Sequence, residues 1–187
     1  MRGVRRIALD FDGVIADTGV IKARWIETEL AIRIDPGRSD RTSLLKRLSV
    51  AEYRRMQINI GESDLFATPP VAGSVNAIQE LAKRFAIVVV SARSGTRLTS
   101  AERWLHIYKL FHFVEDVISA YTKPKVTLAE SMGCSCLIDD DIRHLLVRPR
   151  TGIQRLLFCR ADQRRVSGVD AVSSWPEIVW RLRSKSS

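Results

Sequence analysis

The stretch Ile7-Ala8-Leu9-Asp10-Phe11-Asp12-Gly13-Val14 decides how this chain is read. Three consecutive apolar residues suit a short strand buried on both faces. The chain then leaves through two aspartates separated by one residue, and period-two geometry puts their carboxylates on the same side. Neighbouring carboxylates repel unless a cation or a shared proton joins them. A turn or helix cap would use one aspartate and the glycine, but not the pair.

Similar apolar runs recur at Phe85 to Val90, Phe113 to Ile118, Cys136 to Ile138 and Ile153 to Phe158. Segments with helical periodicity separate or follow them: Val75 to Arg84, Leu98 to Leu110, Val126 to Met132 and Trp175 to Leu182. Strands alternating with helices predict an α/β fold, a parallel sheet covered on both faces in three Rossmann-like layers, with ligands beyond the carboxyl ends of the strands. Residues 17–70 break the rhythm, with helix-like stretches at Ile21 to Ile34, Ser43 to Leu48 and Val50 to Ile60 and no clear strand. They read as a small helical insertion after the first strand, leaving a core of 1–16 and 71–187. The tail Arg183 to Ser187 is read as frayed.

The strand ends carry the rest of the chemistry. Ser91-Ala92-Arg93 follows the second strand, where backbone amides and the Ser91 hydroxyl can hold phosphate oxygens. Asp139-Asp140-Asp141 follows Cys136-Leu137-Ile138, and acids at two strand ends of one sheet suit a hard cation with oxygen ligands. Lys123-Pro124-Lys125 opens the preceding helix, with proline suited to its first turn. Either lysine there could neutralise carboxylates and a bound phosphate.

These four elements in this order resemble the haloacid dehalogenase superfamily over nearly the whole chain. The resemblance implies a Mg²⁺-dependent phosphomonoester hydrolase in which Asp10 is the nucleophile and Asp12 the general acid and base. It further implies that Ser91, Ala92 and Arg93 bind phosphate and that Lys125, or Lys123, is the motif lysine. Asp10, Asp12 and Asp140 would hold the metal, with Asp139 in support. The second aspartate distinguishes phosphatases from the dehalogenases, because Asp12 can protonate a leaving alcohol and later activate water. The opening Asp-Phe-Asp-Gly-Val-Ile-Ala-Asp, Trp104-Leu105, Leu-Ile-Asp-Asp and Trp175-Pro176-Glu177-Ile178 look like the deoxyribonucleotidase branch, which has a small helical cap after its first motif. Its substrates would be small phosphorylated molecules such as nucleoside monophosphates. The stretch Ser91 to Thr96 also resembles the phosphatase domains of polynucleotide kinases, which act on nucleic-acid ends.

Composition bounds the alternatives. At 187 residues and 45% apolar content the chain can bury a core as one domain. No apolar run approaches the roughly 20 residues of a membrane span, so a soluble cytoplasmic protein is expected. Cys134, Cys136 and Cys159 lack zinc-ligand spacing and read as thiols in a reducing compartment. The formal charge of +9 fits a nucleic-acid partner, an anionic small substrate or simply an arginine-rich surface, and its scatter along the chain rather than in one block argues against specific nucleic-acid binding. Arg24, Arg33, Arg54 and Arg55 of the insertion either meet a second anion or form a solvated basic face. His106 and His112 read as packing or surface residues, and His144 as a neighbour of the site rather than part of it.

Overall fold

The computed structural model describes residues 5–60, 62–160 and 166–184. Its centre is a six-stranded parallel sheet: β1 (Arg5–Leu9), β2 (Phe85–Ser91), β3 (Asp116–Ser119), β4 (Cys134–Asp139), β5 (Gln154–Phe158) and β6 (Asp170–Val172). The strands lie in the order β3-β2-β1-β4-β5-β6. The chain therefore builds outward on one side of β1 and resumes on the other at β4. The crevice beyond the carboxyl ends of β1 and β4 is the switch point where such sheets bind ligands.

Two-sided burial follows from the alternation within each strand. Ile7, Leu9, Ile87, Val89, Cys136 and Ile138 point into one hydrophobic layer. It is closed by α5 (Ser74–Leu81), α6 (Thr96–Ile107) and α9 (Trp175–Ser184). Ala8, Val88, Val90 and Leu137 point the other way, toward α7 (Lys125–Ser131) and α8 (Ile142–Leu145). The result is the expected three-layer α/β fold. Among the described residues no helix is long and apolar enough to cross a membrane.

Between β1 and α5 the chain forms α1 (Thr18–Leu30), α2 (Arg41–Leu44), α3 (Val50–Asn59) and α4 (Glu62–Phe66). Local signals set their ends. Asp40 accepts the Ser43 N–H at 3.0 Å to cap α2, and Ser49 with Glu52 makes a reciprocal capping box on α3. These helices bury a small core of their own around Ile26, Leu44, Leu48 and Met56. The segment also begins and ends at one place: Ala16 bridges Pro70, and the Val71 N–H reaches the Ile15 carbonyl at 2.8 Å.

Several predicted boundaries shift. The helix read as Ile21 to Ile34 starts at Thr18 and stops at Leu30, where Ala31 turns into the left-handed region at φ 54°. The strand read as Phe113 to Ile118 starts at Asp116, because Phe111–Phe113 forms a 3₁₀ turn packed on the core. β6 was not anticipated. Arg183 and Ser184, read as tail, end α9, while residues 185–187 lie outside the described residues.

Trp104 joins the layers. It is wholly buried, meets Phe11 edge-on at 5.3 Å, and donates from Nε1 to the Thr68 carbonyl at 2.9 Å. It thus ties α6 to the first motif and to the end of the helical segment. Trp104→Ala is expected to cost about 3–5 kcal/mol, read as a lowered urea midpoint at unchanged slope. A loss below about 1 kcal/mol would contradict this role.

Candidate active site

Strand register brings the acids together. Leu9 pairs with Ile138, and the Asp10 N–H donates to the Ile138 carbonyl at 2.8 Å, so Asp10 emerges beside Asp139. Lys125, the first residue of α7, reaches between them with Nζ 2.7 Å from Asp10 Oδ2 and 2.7 Å from Asp139 Oδ2. All three are buried. Lys123, two residues earlier, is exposed. Pro124 is the N-cap of α7, and the helix directs only the lysine that follows it into the sheet.

Asp10 and Asp139 differ in how well they are neutralised. Burial pushes the Asp10 carboxyl up to about 7, with the Asp139 charge adding to it, despite Lys125. Burial acts on Asp139 too, but Lys125 and His144 overrule it and bring the group down to about 2. The Asp141 N–H also donates to Asp139 at 2.9 Å, and His144 Nδ1 lies 3.1 Å away. Asp139 is therefore fully engaged within the protein. The two carboxylates in turn outweigh burial and hold Lys125 above its ordinary value.

Asp140 is placed differently. Gly13 turns with φ +74° directly against it, and a Cβ there would stand 2.0 Å from Asp140 Oδ2. Burial, then the Asp10 charge, raises Asp140 well above the usual carboxylate range. Asp10 and Asp140 thus share one deficit, a buried and a half-buried carboxylate with too little positive charge nearby. A hard divalent cation fits that donor chemistry. Asp10, Asp139 and His144 also present ligand atoms within 4.8 Å of one another. Asp139 and His144 are already committed to each other and to Lys125, so Asp10 with Asp140 is the better pair. Asp141 caps α8 through the Arg143 N–H and pairs with the Arg143 guanidinium.

The loop after β2 is built around Arg93. Its guanidinium forks onto Asp12, with Nε 2.9 Å from Oδ2 and Nη2 2.8 Å from Oδ1, and lies 5.3 Å from the Phe11 ring centre. Burial opposes ionisation of Asp12, yet Arg93 prevails and lowers it to about 2. Ser91 is buried at the end of β2 and its hydroxyl accepts the Arg93 N–H at 3.2 Å. Ser119 donates to the Arg93 carbonyl at 2.8 Å, fixing the loop from β3.

A cavity of about 880 Å³ opens above these groups. Asp10, Asp12, Ala92, Arg93 and Asp140 line it from the sheet, and Lys22, Arg41, Tyr53 and Gln57 from the helical segment. Arg24, Arg33, Arg54 and Arg55 are not among its lining; Arg33 pairs with Glu27 and Arg55 with Glu29 on the outside, so the solvated basic face is what forms. The sequence did not single out Lys22 or the Arg160 fork onto Asp17 at 2.6 and 2.7 Å, and it marked His144 as near the site without assigning the contact it makes with Asp139.

Comparison with solved structures finds the same architecture. A haloacid dehalogenase-like protein of unknown function from Agrobacterium tumefaciens superimposes with a TM-score of 0.66 at 17% identity, covering 99% of this chain and 100% of that one. The chain has the haloacid dehalogenase fold. A family hydrolase from Deinococcus radiodurans with bound phosphate and sodium gives 0.65 at 14% identity, over 97% of this chain and 96% of that chain. The putative hydrolase YfnB from Bacillus subtilis, bound to magnesium, gives 0.63 at 13%, over 97% and 99%. No family model matches the sequence, and no curated protein matches it either.

The charge deficit has a measurable consequence. Asp10 binds its proton more tightly folded than unfolded, so its stabilising contribution is complete below about pH 4 and is lost as pH rises through about 7. Asp140 acts in the same sense. The thermal midpoint of the metal-free protein should therefore fall between about pH 5 and pH 8, and Asp10→Asn should flatten that fall. Parallel profiles for the two proteins would contradict the assignment.

Proposed function

We propose that the protein is a Mg²⁺-dependent phosphomonoester hydrolase working through a phosphoaspartate on Asp10. One observation carries the reading: a buried aspartate, fixed by Lys125 and facing an open cavity, lies beside a second acid whose charge is also poorly compensated. The fold, shared with hydrolases that have phosphate or magnesium bound, supports it. When bound between Asp10 and Asp140, Mg²⁺ would offset their charges and polarise a phosphate oxygen.

The chain's own groups then account for the chemistry. Lys125 on Oδ2 and the Phe11 N–H, which donates to Oδ1 at 2.7 Å, fix the Asp10 carboxylate at the cavity, where a remaining lone pair can address phosphorus. Asp10 attacks in line, the bond to the leaving alcohol breaks, and Asp12 supplies the proton that the alkoxide takes up. Asp12 then removes a proton from water, which attacks the acyl phosphate and releases inorganic phosphate, restoring Asp10. Arg93 positions an ionised Asp12 before substrate binds. The phosphate dianion competes for Arg93 and loosens that fork, so that Asp12 takes up a proton from solvent, the one it then passes to the leaving alcohol.

Residues 17–70 form the cap in this reading, and the cavity they roof has the size of a small-molecule site. The substrate is accordingly a small phosphomonoester, a nucleoside monophosphate being the first to test, rather than a nucleic-acid end.

Asp10→Asn should abolish turnover of every phosphomonoester while circular dichroism stays unchanged; retained turnover would end the covalent mechanism. Excess chelator should silence the enzyme and added Mg²⁺ restore it. In a Mg²⁺ titration of activity, Asp140→Asn should shift the midpoint upward more than Asp141→Asn, since Asp141 is tied to Arg143. The opposite order would move the metal site to Asp141.

A further inference from the structure

The cavity holds five cationic side chains, and four have evident work. Arg93 forks onto Asp12, Arg143 pairs with Asp141, Arg97 donates to the Gln57 carbonyl at 2.6 Å, and Arg41 lies over the Tyr53 ring at 5.5 Å on the exposed rim. The fifth, Lys22, is half-buried on α1. Its one hydrogen bond among the described residues is a long one, 3.3 Å, to the Ser39 carbonyl. Asp12 and Asp140, on the sheet side of the cavity, both feel its positive charge.

From this inventory we propose that Lys22 is the substrate-binding cation of the cap: its ammonium takes an oxygen of the phosphoryl group from the side opposite Lys125. The inference rests on the phosphatase reading. A half-buried ammonium with three donors and only one long bond has donors left for an anion. Lys125 has two of its three donors committed, to Asp10 and Asp139 at 2.7 Å each. Lys22 follows Asp17, the residue that opens α1, by little more than one helical turn, and Asp17 is forked to Arg160. A phosphate gripped by Lys22 therefore links α1 to the sheet, so binding and cap position are coupled.

A second role for Lys22, merely offsetting Asp12 and Asp140, predicts the opposite behaviour toward metal. Removing a nearby positive charge would then tighten Mg²⁺ binding and leave phosphate affinity alone. Titration calorimetry of the Mg²⁺-loaded protein with inorganic phosphate separates the two. Lys22→Met should weaken phosphate binding about ten-fold or more, the scale of a lost charged hydrogen bond, and raise KM more than it lowers kcat. Lys22→Arg should recover most of the affinity. Unchanged phosphate affinity in Lys22→Met, with tighter Mg²⁺ binding, would overturn the proposal while leaving the phosphatase reading intact. Wild-type protein that neither binds phosphate nor hydrolyses any phosphomonoester would overturn both.

Discussion

The site depends on one ammonium placed between two carboxylates. Parallel pairing of β1 with β4 makes Asp10 and Asp139 neighbours in a region that excludes water, an arrangement that electrostatics alone forbids. Lys125 makes it possible with two contacts of 2.7 Å. Desolvating three charges is repaid only when geometry and further hydrogen bonds are good, and here the Phe11 and Asp141 amides and His144 supply them. Because Lys125 satisfies Asp139 more fully than Asp10, the cluster keeps a residual demand for positive charge at the cavity floor. The same demand draws a cation and a phosphate to one place.

Around that floor the fold divides the labour. The sheet ends supply rigid groups whose positions follow from register, while the helical segment supplies the roof. Its two ends pair with each other at Ala16 and Pro70, so it can vary without disturbing the sheet. Gly13 is the narrowest point between the two parts. Its left-handed turn lets the backbone pass against the Asp140 carboxylate, a space no side chain could share.

What could be read from the sequence follows from the range of the forces involved. Period-two alternation is local, so Asp10, Asp12 and the acids after β4 stood out before any contact was known. β6 has only three residues, two of them incompletely buried, and gives too little alternation to detect. Lys123 and Lys125 share a composition and a proline between them; only the docking of α7 distinguishes them. The fork of Arg93 on Asp12 spans 81 residues and that of Arg160 on Asp17 spans 143, and no local pattern announces either. His144 lay close in sequence to the acidic turn, and its spacing of five from Asp139 was the signal available. Basic residues of the insertion drew attention by number, yet the helix phase sends Lys22 and Arg41 to the cavity and leaves Arg33 and Arg55 outside.

The central claim is that phosphate passes through a covalent bond to Asp10, and the direct measurement is mass spectrometry of protein quenched in acid during steady-state turnover. Acyl phosphates survive brief acid quenching, so the peptide containing Asp10 should carry one phosphoryl group that disappears when substrate is exhausted. Turnover with no phosphorylated peptide under conditions where hydrolysis of the acyl phosphate is slowed, or label found on Ser91 instead, would contradict the account.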